Sequence, residues 1–265
     1  RIGVFGIGHE PYWNQFPGLK EELEANTRAF EARLESYDVD VVSGGLVDTS
    51  TRGREVGEAF RKASVDLLFC FVATYATSAV TLPVVQRAGV DVVLIGLQPT
   101  PGMDCATATT RDQLLHDNVT SLPEISGALI RSGKAPLDII AGTLHDDARA
   151  WRRIEEWCRV ARVLRSVRNA RIGYMGHTYE GMLDMHSDPT MFHALFGLHV
   201  QMLEMCDLDD CARRVEPSER EAMVERIRDV FHFAEPGVDP IAGPVREDEL
   251  QWSATVAVAL ERLVG

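Results

Sequence analysis

The segment GHTYEGMLDMHSDPT, residues 176–190, concentrates histidine, tyrosine and aspartate side chains in one short stretch. His177, Tyr179 and Asp184 follow the apolar run ARIGYM, residues 170–175, which is typical of a buried strand. Hydrogen-bonding groups mixed with flat aromatic rings suit a hydroxyl-rich small molecule, because ring faces pack on C–H surfaces while polar groups bind the hydroxyls. The segment therefore predicts a binding site for such a molecule.

Two further loops carry the same kinds of residue. The hexapeptide RIGVFG at residues 1–6 recurs as RIGYMG at residues 171–176, and each copy is followed by a loop that bears a histidine. A third apolar run, residues 66–73, also ends in a polar loop. In open parallel sheets, ligands bind beyond the carboxyl ends of the strands, where such loops converge. The predicted substrate-binding residues are His9, Glu10, Tyr12, Thr74, Tyr75, His177 and Tyr179. For any one of them taken alone, an ordinary polar loop residue is the alternative.

The elements that would position these residues alternate regularly between strands and helices. Strands are predicted at residues 1–6, 39–45, 66–73, 90–97 and 137–144. Helices are predicted near residues 19–34, 54–64, 78–89, 121–133 and 146–166, with a polar loop over residues 98–118. Near-continuous apolar runs that alternate with helices are typical of a parallel sheet covered on both faces.

The same pattern begins again at residue 169. Two more strands, at residues 171–176 and 199–205, are accompanied by helices at residues 189–197, 217–231 and 247–263. We therefore predict an α/β fold with two doubly wound, Rossmann- or flavodoxin-like parallel-sheet domains, at residues 1–168 and 169–265. Two strands make too little sheet for an independent domain, so the second domain is expected to be incomplete.

Known catalytic and nucleotide-binding motifs are weak or missing in the sequence. Gly3, Gly6 and Gly8 give G-x-x-G-x-G, the wrong order for a dinucleotide fingerprint, and neither a P-loop nor a G-x-S-x-G nucleophile elbow occurs. The run HDD at residues 145–147 has metal-binding residue types. It is more simply interpreted as the N-terminus of the helix at 146–166, capped by one of its aspartates.

Composition indicates the partners and the compartment. The formal net charge of −13 disfavours nucleic acid and anionic membrane surfaces as partners, because both carry negative charge. The longest apolar stretch, residues 90–97, is too short to span a bilayer. The chain does not open with a secretory signal, and its five scattered cysteines are typical of reduced thiols. A cytoplasmic location is therefore expected.

Three segments resemble the L-arabinose isomerase and L-fucose isomerase superfamily. They are RIGVFGIGHEPYW, FVATYATS and, most specifically, the block ARIGYMGHTYEGMLDMHSDPTMFHALFGLHVQMLEM at residues 170–205. Those enzymes interconvert an aldose and its ketose with a divalent metal, usually Mn²⁺. Two carboxylates and the metal shift a proton between C1 and C2 through an ene-diol. The resemblance implies the same fold, activity and cofactor for this chain.

The resemblance also implies roles for the loop residues. In the family, the loop after the first strand reaches a neighbouring subunit's active site and contacts the sugar, and His9, Glu10 and Tyr12 occupy that loop here. The loops that carry Tyr75 and His177 look like two further sugar contacts. A small-molecule sugar is thus the expected ligand, and the expected assembly is a homo-oligomer with active sites at subunit interfaces.

The family's metal-binding residues would lie beyond residue 265. The resemblance therefore implies Mn²⁺ as the cofactor, but no catalytic and no metal-binding residue within this chain. Because the chain begins with Arg1 rather than Met, it is expected to be a fragment of a longer isomerase, inactive alone. A non-catalytic sugar-binding protein built from the same two domains is the alternative, and a purely structural piece is a third interpretation.

Overall fold

The computed structural model describes residues 1–235, 237, 241 and 243–264. It has the predicted α/β architecture, with a parallel sheet flanked by helices. The chain separates into two compact units, Arg1–Val167 (unit 1) and Arg168–Gly265 (unit 2), and each is described by itself. In the part of the chain that is described, no helix is both long and apolar enough to cross a membrane.

Unit 1 is built on a five-stranded sheet in which every neighbouring pair is parallel. The strands are β1 (Ile2–Ile7), β2 (Val41–Val47), β3 (Leu67–Phe71), β4 (Val92–Gln98) and β5 (Asp138–Thr143), in the order β2-β1-β3-β4-β5. Every residue of β1 and β3 is buried. This burial explains why the central strands have continuous apolar sequences, since both faces of the sheet are covered.

Helices cover the sheet of unit 1 on both faces, as predicted. They are α1 (Leu19–Glu35), α2 (Ser50–Lys62), α3 (Ser78–Ala88), α4 (Thr110–His116), α5 (Asn118–Arg131) and α6 (Ala148–Arg168). On one face, α1 and α6 contribute Phe30 and Trp151 to a core cluster with Phe71 of β3. On the other face, α2, α3 and α5 pack against the alternate residues of the same strands. The ring of Phe30 stacks on that of Phe71 with a centroid separation of 5.0 Å.

Helix α4 lies inside the segment 98–118 that the sequence predicted as a loop, so that part of the prediction is wrong. The helix is short but has a complete capping box. The hydroxyl of Thr109 accepts from Asp112 N, and the Asp112 carboxylate accepts from Thr109 N at 2.8 Å. A Thr-x-x-Asp sequence satisfies two of the N–H groups that a helix start leaves free, and this stabilises even a two-turn helix.

Helix α6 begins as the sequence predicted, with an aspartate as its cap. Asp147 Oδ1 accepts from Ala150 N at 2.9 Å and from Arg149 N at 3.1 Å, while Oδ2 accepts from Thr143 N at 3.1 Å. The HDD run at 145–147 is thus confirmed as a helix start.

Unit 2 contains a two-stranded parallel sheet and four helices among its described residues. The elements are β6 (Arg171–Met175), α7 (Pro189–Phe196), β7 (His199–Leu203), α8 (Met205–Ala212), α9 (Pro217–Val230) and α10 (Glu247–Val264). Its main apolar cluster joins Met223 and Val224 of α9 to Leu250, Ala254 and Val258 of α10. The run 170–175 forms the predicted strand, but the expectation that it is buried is wrong. Ile172 and Tyr174 are 45% and 36% exposed, because a two-stranded sheet gives its residues few neighbours.

Candidate functional site

In unit 1, the connections of the sheet change direction between β1 and β3. Strands β1 and β3 are neighbours at the centre of the sheet, yet β1 leads to α1 on one face and β3 leads to α3 on the other. In sheets of this kind the loops at such a point leave towards opposite faces, which can leave room for a ligand. In open α/β sheets this switch point is where ligands bind.

Three of the predicted site residues come together at this switch point. The ring centroid of His9 lies 4.8 Å from that of Tyr12 and 6.4 Å from that of Tyr75, both in edge-to-face geometry. Phe16 extends the cluster behind Tyr12, at 6.0 Å. Edge-to-face contact is a favoured arrangement of aromatic rings, so the cluster is a defined structure rather than a chance grouping of loop residues.

The loop after β1 is anchored on its far side by Trp13. The Nε1–H of Trp13 donates to Asp48 Oδ2 at 2.9 Å, and Lys20 Nζ lies 3.1 Å from the same oxygen. The indole ring rests on the backbone of Gly8, where a Cβ atom would lie only 2.8 Å from the ring atom Cη2. Glycine is required at this position because any side chain would displace the ring.

The loop after β3 is fixed on both sides of Tyr75. Thr74 is fully buried, and its hydroxyl donates to Leu114 O of α4 at 2.7 Å. The buried Ser121 hydroxyl of α5 accepts from Ala76 N at 2.9 Å and donates to Ala76 O at 3.0 Å. These bonds hold the backbone around Tyr75, so its ring has a fixed position against His9.

Burial and nearby charge act on the phenol of Tyr12. Partial burial raises the pKa of Tyr12, and the neighbouring Tyr75 and the Asp117 carboxylate raise it further. A higher pKa means that Tyr12 is a neutral phenol at pH 7, able both to donate and to accept a hydrogen bond.

The end of α4 adds two polar residues that the sequence did not predict, His116 and Asp117, beside Gln98 at the end of β4, which the sequence places among the polar residues that follow the strands. Gln98 Nε2 donates to His116 O at 2.9 Å, and Asp117 separates α4 from α5 and accepts from the Thr120 hydroxyl. The sequence signal that could have found them is the capping box at 109–112. It marks the N-terminal end of a helix, and His116 and Asp117 lie at the end of the two turns that follow.

The remaining predicted residues have different surroundings. Glu10 is exposed. In unit 2, His177 lines a cleft of about 540 Å³, whereas Tyr179 is 67% exposed and is not among the lining residues. The binding roles of all seven predicted residues, these three included, stay predictions.

The cleft of unit 2 lies at the carboxyl ends of β6 and β7. Its lining residues are Tyr174, Gly176, His177, Thr178, His186, Met202, Leu203, Glu204 and Met205. The loop turns back on the strand, because the hydroxyls of Tyr174 and Thr178 hydrogen-bond at 2.5 Å. The cleft thus combines two imidazoles, a carboxylate and apolar side chains within one small unit. His186, Glu204 and the two methionines were absent from the predicted set.

The described residues do not form a cluster that fits Mn²⁺. Within residues 1–235, 237, 241 and 243–264, no group of three histidine, cysteine, aspartate or glutamate side chains is placed to hold a metal ion. We therefore derive no chemical step through a metal.

Comparison with protein-family models gives no match for this chain, and comparison with curated proteins gives none either. What the geometry shows is an α/β protein with a polar, aromatic cluster at the switch point of its five-stranded sheet.

Proposed function

We propose that this chain takes part in aldose–ketose isomerisation of the L-arabinose and L-fucose type, and that unit 1 supplies residues that bind the sugar. The observation that carries the proposal is the cluster of His9, Tyr12 and Tyr75 at the β1/β3 switch point. The resemblance of residues 170–205 to that superfamily supports it independently of this cluster.

The cluster has the chemistry that a sugar requires. The C–H surfaces of a pyranose or an open-chain sugar pack on aromatic rings, and its hydroxyls need both donors and acceptors. Tyr12 remains a neutral phenol at pH 7 and provides both from a single oxygen. The imidazole of His9 offers one donor and one acceptor in its neutral form.

Isomerisation needs more than binding. A proton must leave C2 and arrive at C1, which requires a base, an acid and an electrophile at the carbonyl oxygen. We assign none of these roles to a residue of this chain. In this proposal the chain holds the sugar and fixes its orientation. Mn²⁺ and a homo-oligomer with active sites at subunit interfaces are also part of the proposal, and they are supported by the sequence resemblance alone.

A sugar-binding protein without catalysis is the second candidate. It is favoured by the composition of the cluster, because His9, Tyr12 and Tyr75 can all bind a sugar. None of them is one of the two carboxylates that isomerisation uses. The two candidates differ in one measurable way, which is turnover of the bound sugar.

Calorimetric titration with a series of aldopentoses, 6-deoxyhexoses and their ketoses tests the proposal. We expect one sugar of the series to bind, and Tyr12→Phe to weaken that binding by about 2- to 12-fold, the value of one neutral hydrogen bond. Tyr37→Phe is the matched control, because Tyr37 packs near Trp151 in the core of the same unit and should bind as the unaltered protein does.

Incubation of the bound sugar with the intact protein and Mn²⁺ then separates the candidates. Formation of the ketose supports the isomerase, and binding without conversion supports the sugar-binding protein. Absence of binding to every sugar in the series would overturn both, and would leave a structural role for unit 1.

A further inference from the structure

Unit 2 exposes far more apolar side chains than unit 1. The described residues expose twenty-five large apolar side chains, and nineteen of them lie in unit 2, although unit 2 is the smaller unit. Single exposed apolar residues are normal, but a concentration of them marks an interaction site. Nine of the nineteen, which we call the apolar surface, lie within residues 179–205 and are 45–79% exposed: Tyr179, Met182, Leu183, Met185, Met191, Leu195, Phe196, Met202 and Met205.

Helix α7 contributes three side chains to this surface and is itself poorly supported. Five of its eight residues are apolar, and none of the eight, all of which the structure describes, is buried. Its two phenylalanine rings, Phe192 and Phe196, lie 6.3 Å apart and contact each other. A helix of this length is marginal in water, because most helical stability comes from packing an apolar face against another element. Helix α7 therefore needs a further surface to pack against.

The elements that carry the apolar surface lie close together. The loop after β6 and the end of β7 line the same cleft, which includes His177, Met202 and Met205. Helix α7 is joined to β7 by a turn of two residues, and Nδ1 of His193 lies 3.3 Å from Leu198 O within that connection. The nine side chains thus belong to one region of unit 2, and two of them line its cleft.

The charge pattern favours a second copy of this chain as the partner. The chain has a formal net charge of −13, yet residues 189–203 contain no Asp, Glu, Lys or Arg. In a two-fold dimer the same surface of each copy faces the other, so a charged surface would meet its own charge. A surface without charge avoids that repulsion, and apolar contact is non-directional, so the surface is complementary to itself.

The area of the apolar surface also fits a dimer. A large side chain has on the order of 200 Å² of accessible area, so nine that are 45–79% exposed leave roughly 1,000 Å² open to solvent. A specific interface buries about 800 Å² on each partner, and a little over half of that area is apolar. The nine side chains can therefore supply the whole apolar part of such an interface.

We infer that two copies of this chain associate through the apolar surface, with α7 of each copy packed against the other copy. Association buries the helix and brings the second copy against the cleft that Met202 and Met205 line. The inference gives a location to the homo-oligomer of the proposed function, but it rests on exposed apolar area and not on sugar chemistry. Its failure would leave the sugar-binding proposal for unit 1 standing.

Sedimentation velocity over a range of micromolar concentrations tests the dimer. We expect the unaltered protein to sediment with twice the mass of one chain at high concentration and to dissociate on dilution. Leu183→Glu and Leu195→Glu each add a carboxylate to a surface that meets its own copy, and each should weaken association by at least about tenfold. Val163→Glu makes the same kind of change at an exposed position of α6 in unit 1 and should leave association unchanged.

A monomer at every concentration would overturn the inference, and a monomer that floats with phosphatidylcholine vesicles would assign the apolar surface to a lipid bilayer instead. A dimer that neither glutamate substitution weakens would also overturn it. Far-UV circular dichroism shows whether each variant folds, and Leu183 lies outside α7, so Leu183→Glu keeps the test decisive if Leu195→Glu unfolds. Calorimetric titration with the sugars named above gives a separate result for the proposed function.

Discussion

The imidazole of His9 and the phenol ring of Tyr75 lie edge to face, with centroids 6.4 Å apart and an interplanar angle of 85°. One residue follows β1 and the other follows β3, so their contact exists only because these strands are neighbours in the sheet. The pair therefore connects the topology of unit 1 to its candidate site. Any change that shifts one strand end relative to the other alters the geometry of the cluster.

Two substitutions at Tyr75 separate the ring from its hydroxyl. Tyr75→Phe keeps the contact with His9 and should leave the free energy of unfolding nearly unchanged while weakening sugar binding several-fold. Tyr75→Leu also removes the edge-to-face contact, and we expect a further loss of about 0.5–1.5 kcal/mol in stability. Urea denaturation and calorimetric titration of both variants measure the two effects. Equal stability of the two variants would show that the ring contact contributes nothing.

The indole of Trp13 is expected to stabilise the loop after β1 through its bond to Asp48. Trp13→Phe keeps an aromatic ring over Gly8 but removes the Nε1–H donor, and we expect it to lower the free energy of unfolding by about 1 kcal/mol. Trp252→Phe is the matched control, because Trp252 is 61% exposed on α10 and should change stability by less than about 0.5 kcal/mol. If the two variants lose the same amount, the bond to Asp48 is not an anchor.

Removal of the Ser121 hydroxyl should lower the stability of the fold, although only one oxygen atom is removed. Ser121→Ala leaves both the N–H and the C=O of Ala76 without a partner in a buried position, and each such group costs about 1–3 kcal/mol. We expect a loss of stability of that order, together with weaker sugar binding because Tyr75 is next in the chain. Ser166→Ala, at an exposed position of α6, controls for the change of residue type. A neutral result at Ser121 would contradict the proposed fixing of the loop.

The parallel sheet was predictable from the sequence because β1, β3 and β4 are buried on both faces, and such strands must be apolar throughout. The rule that ligands bind beyond strand ends then led to His9, Tyr12 and Tyr75. The same rule could not find Asp117, because Asp117 lies between α4 and α5 and does not follow a strand; α4 is joined to the loop after β3 through the bond from the Thr74 hydroxyl to Leu114 O. Side-chain bonds of this kind between distant segments leave no periodic pattern in a sequence.

The two wrong predictions have different physical causes, one local and one long-range. The missed helix α4 is encoded locally, in the Thr109 and Asp112 capping box, and a closer reading of that spacing would have found it. The exposure of Ile172 and Tyr174 is different, because burial depends on which elements pack against a strand. An apolar run predicts a strand, but it does not show how many neighbours the strand has.

The aspartate that caps α6 should make the free energy of unfolding depend on pH. Backbone N–H groups, first that of Ala150 and then those of Thr143 and Arg149, lower the pKa of Asp147 below its ordinary value. A group with a lowered folded-state pKa stabilises the fold above its unfolded pKa, and the contribution is lost as the pH falls through the folded value. Asp147→Asn should therefore be less stable than the unaltered protein by about 0.3–1 kcal/mol at pH 7, because it loses the negative charge at the helix N-terminus.

The difference between Asp147→Asn and the unaltered protein should shrink as the pH falls below about 4, the ordinary range of an aspartate. Thermal denaturation at pH 7, 5 and 3 measures it. Asp146→Asn is the matched control, because Asp146 precedes the cap and accepts none of the three bonds that Asp147 accepts. A difference that stays constant with pH would show that the charge of Asp147 does not act through the cap.

The five cysteines should differ sharply in reactivity, although all of them are free thiols. Cys70 and Cys158 are buried, and burial raises the pKa of each thiol to about 12, so almost no thiolate is present at pH 8. Cys105 and Cys206 are exposed. Since the thiolate is the reacting species, a maleimide reagent should label the two exposed residues first, and the two buried ones only after unfolding. Mass spectrometry of peptides from the native protein, compared with a sample in denaturant, gives the order directly. Labelling of Cys70 at the rate of Cys105 would mean that the central sheet opens readily, contrary to the burial of β3.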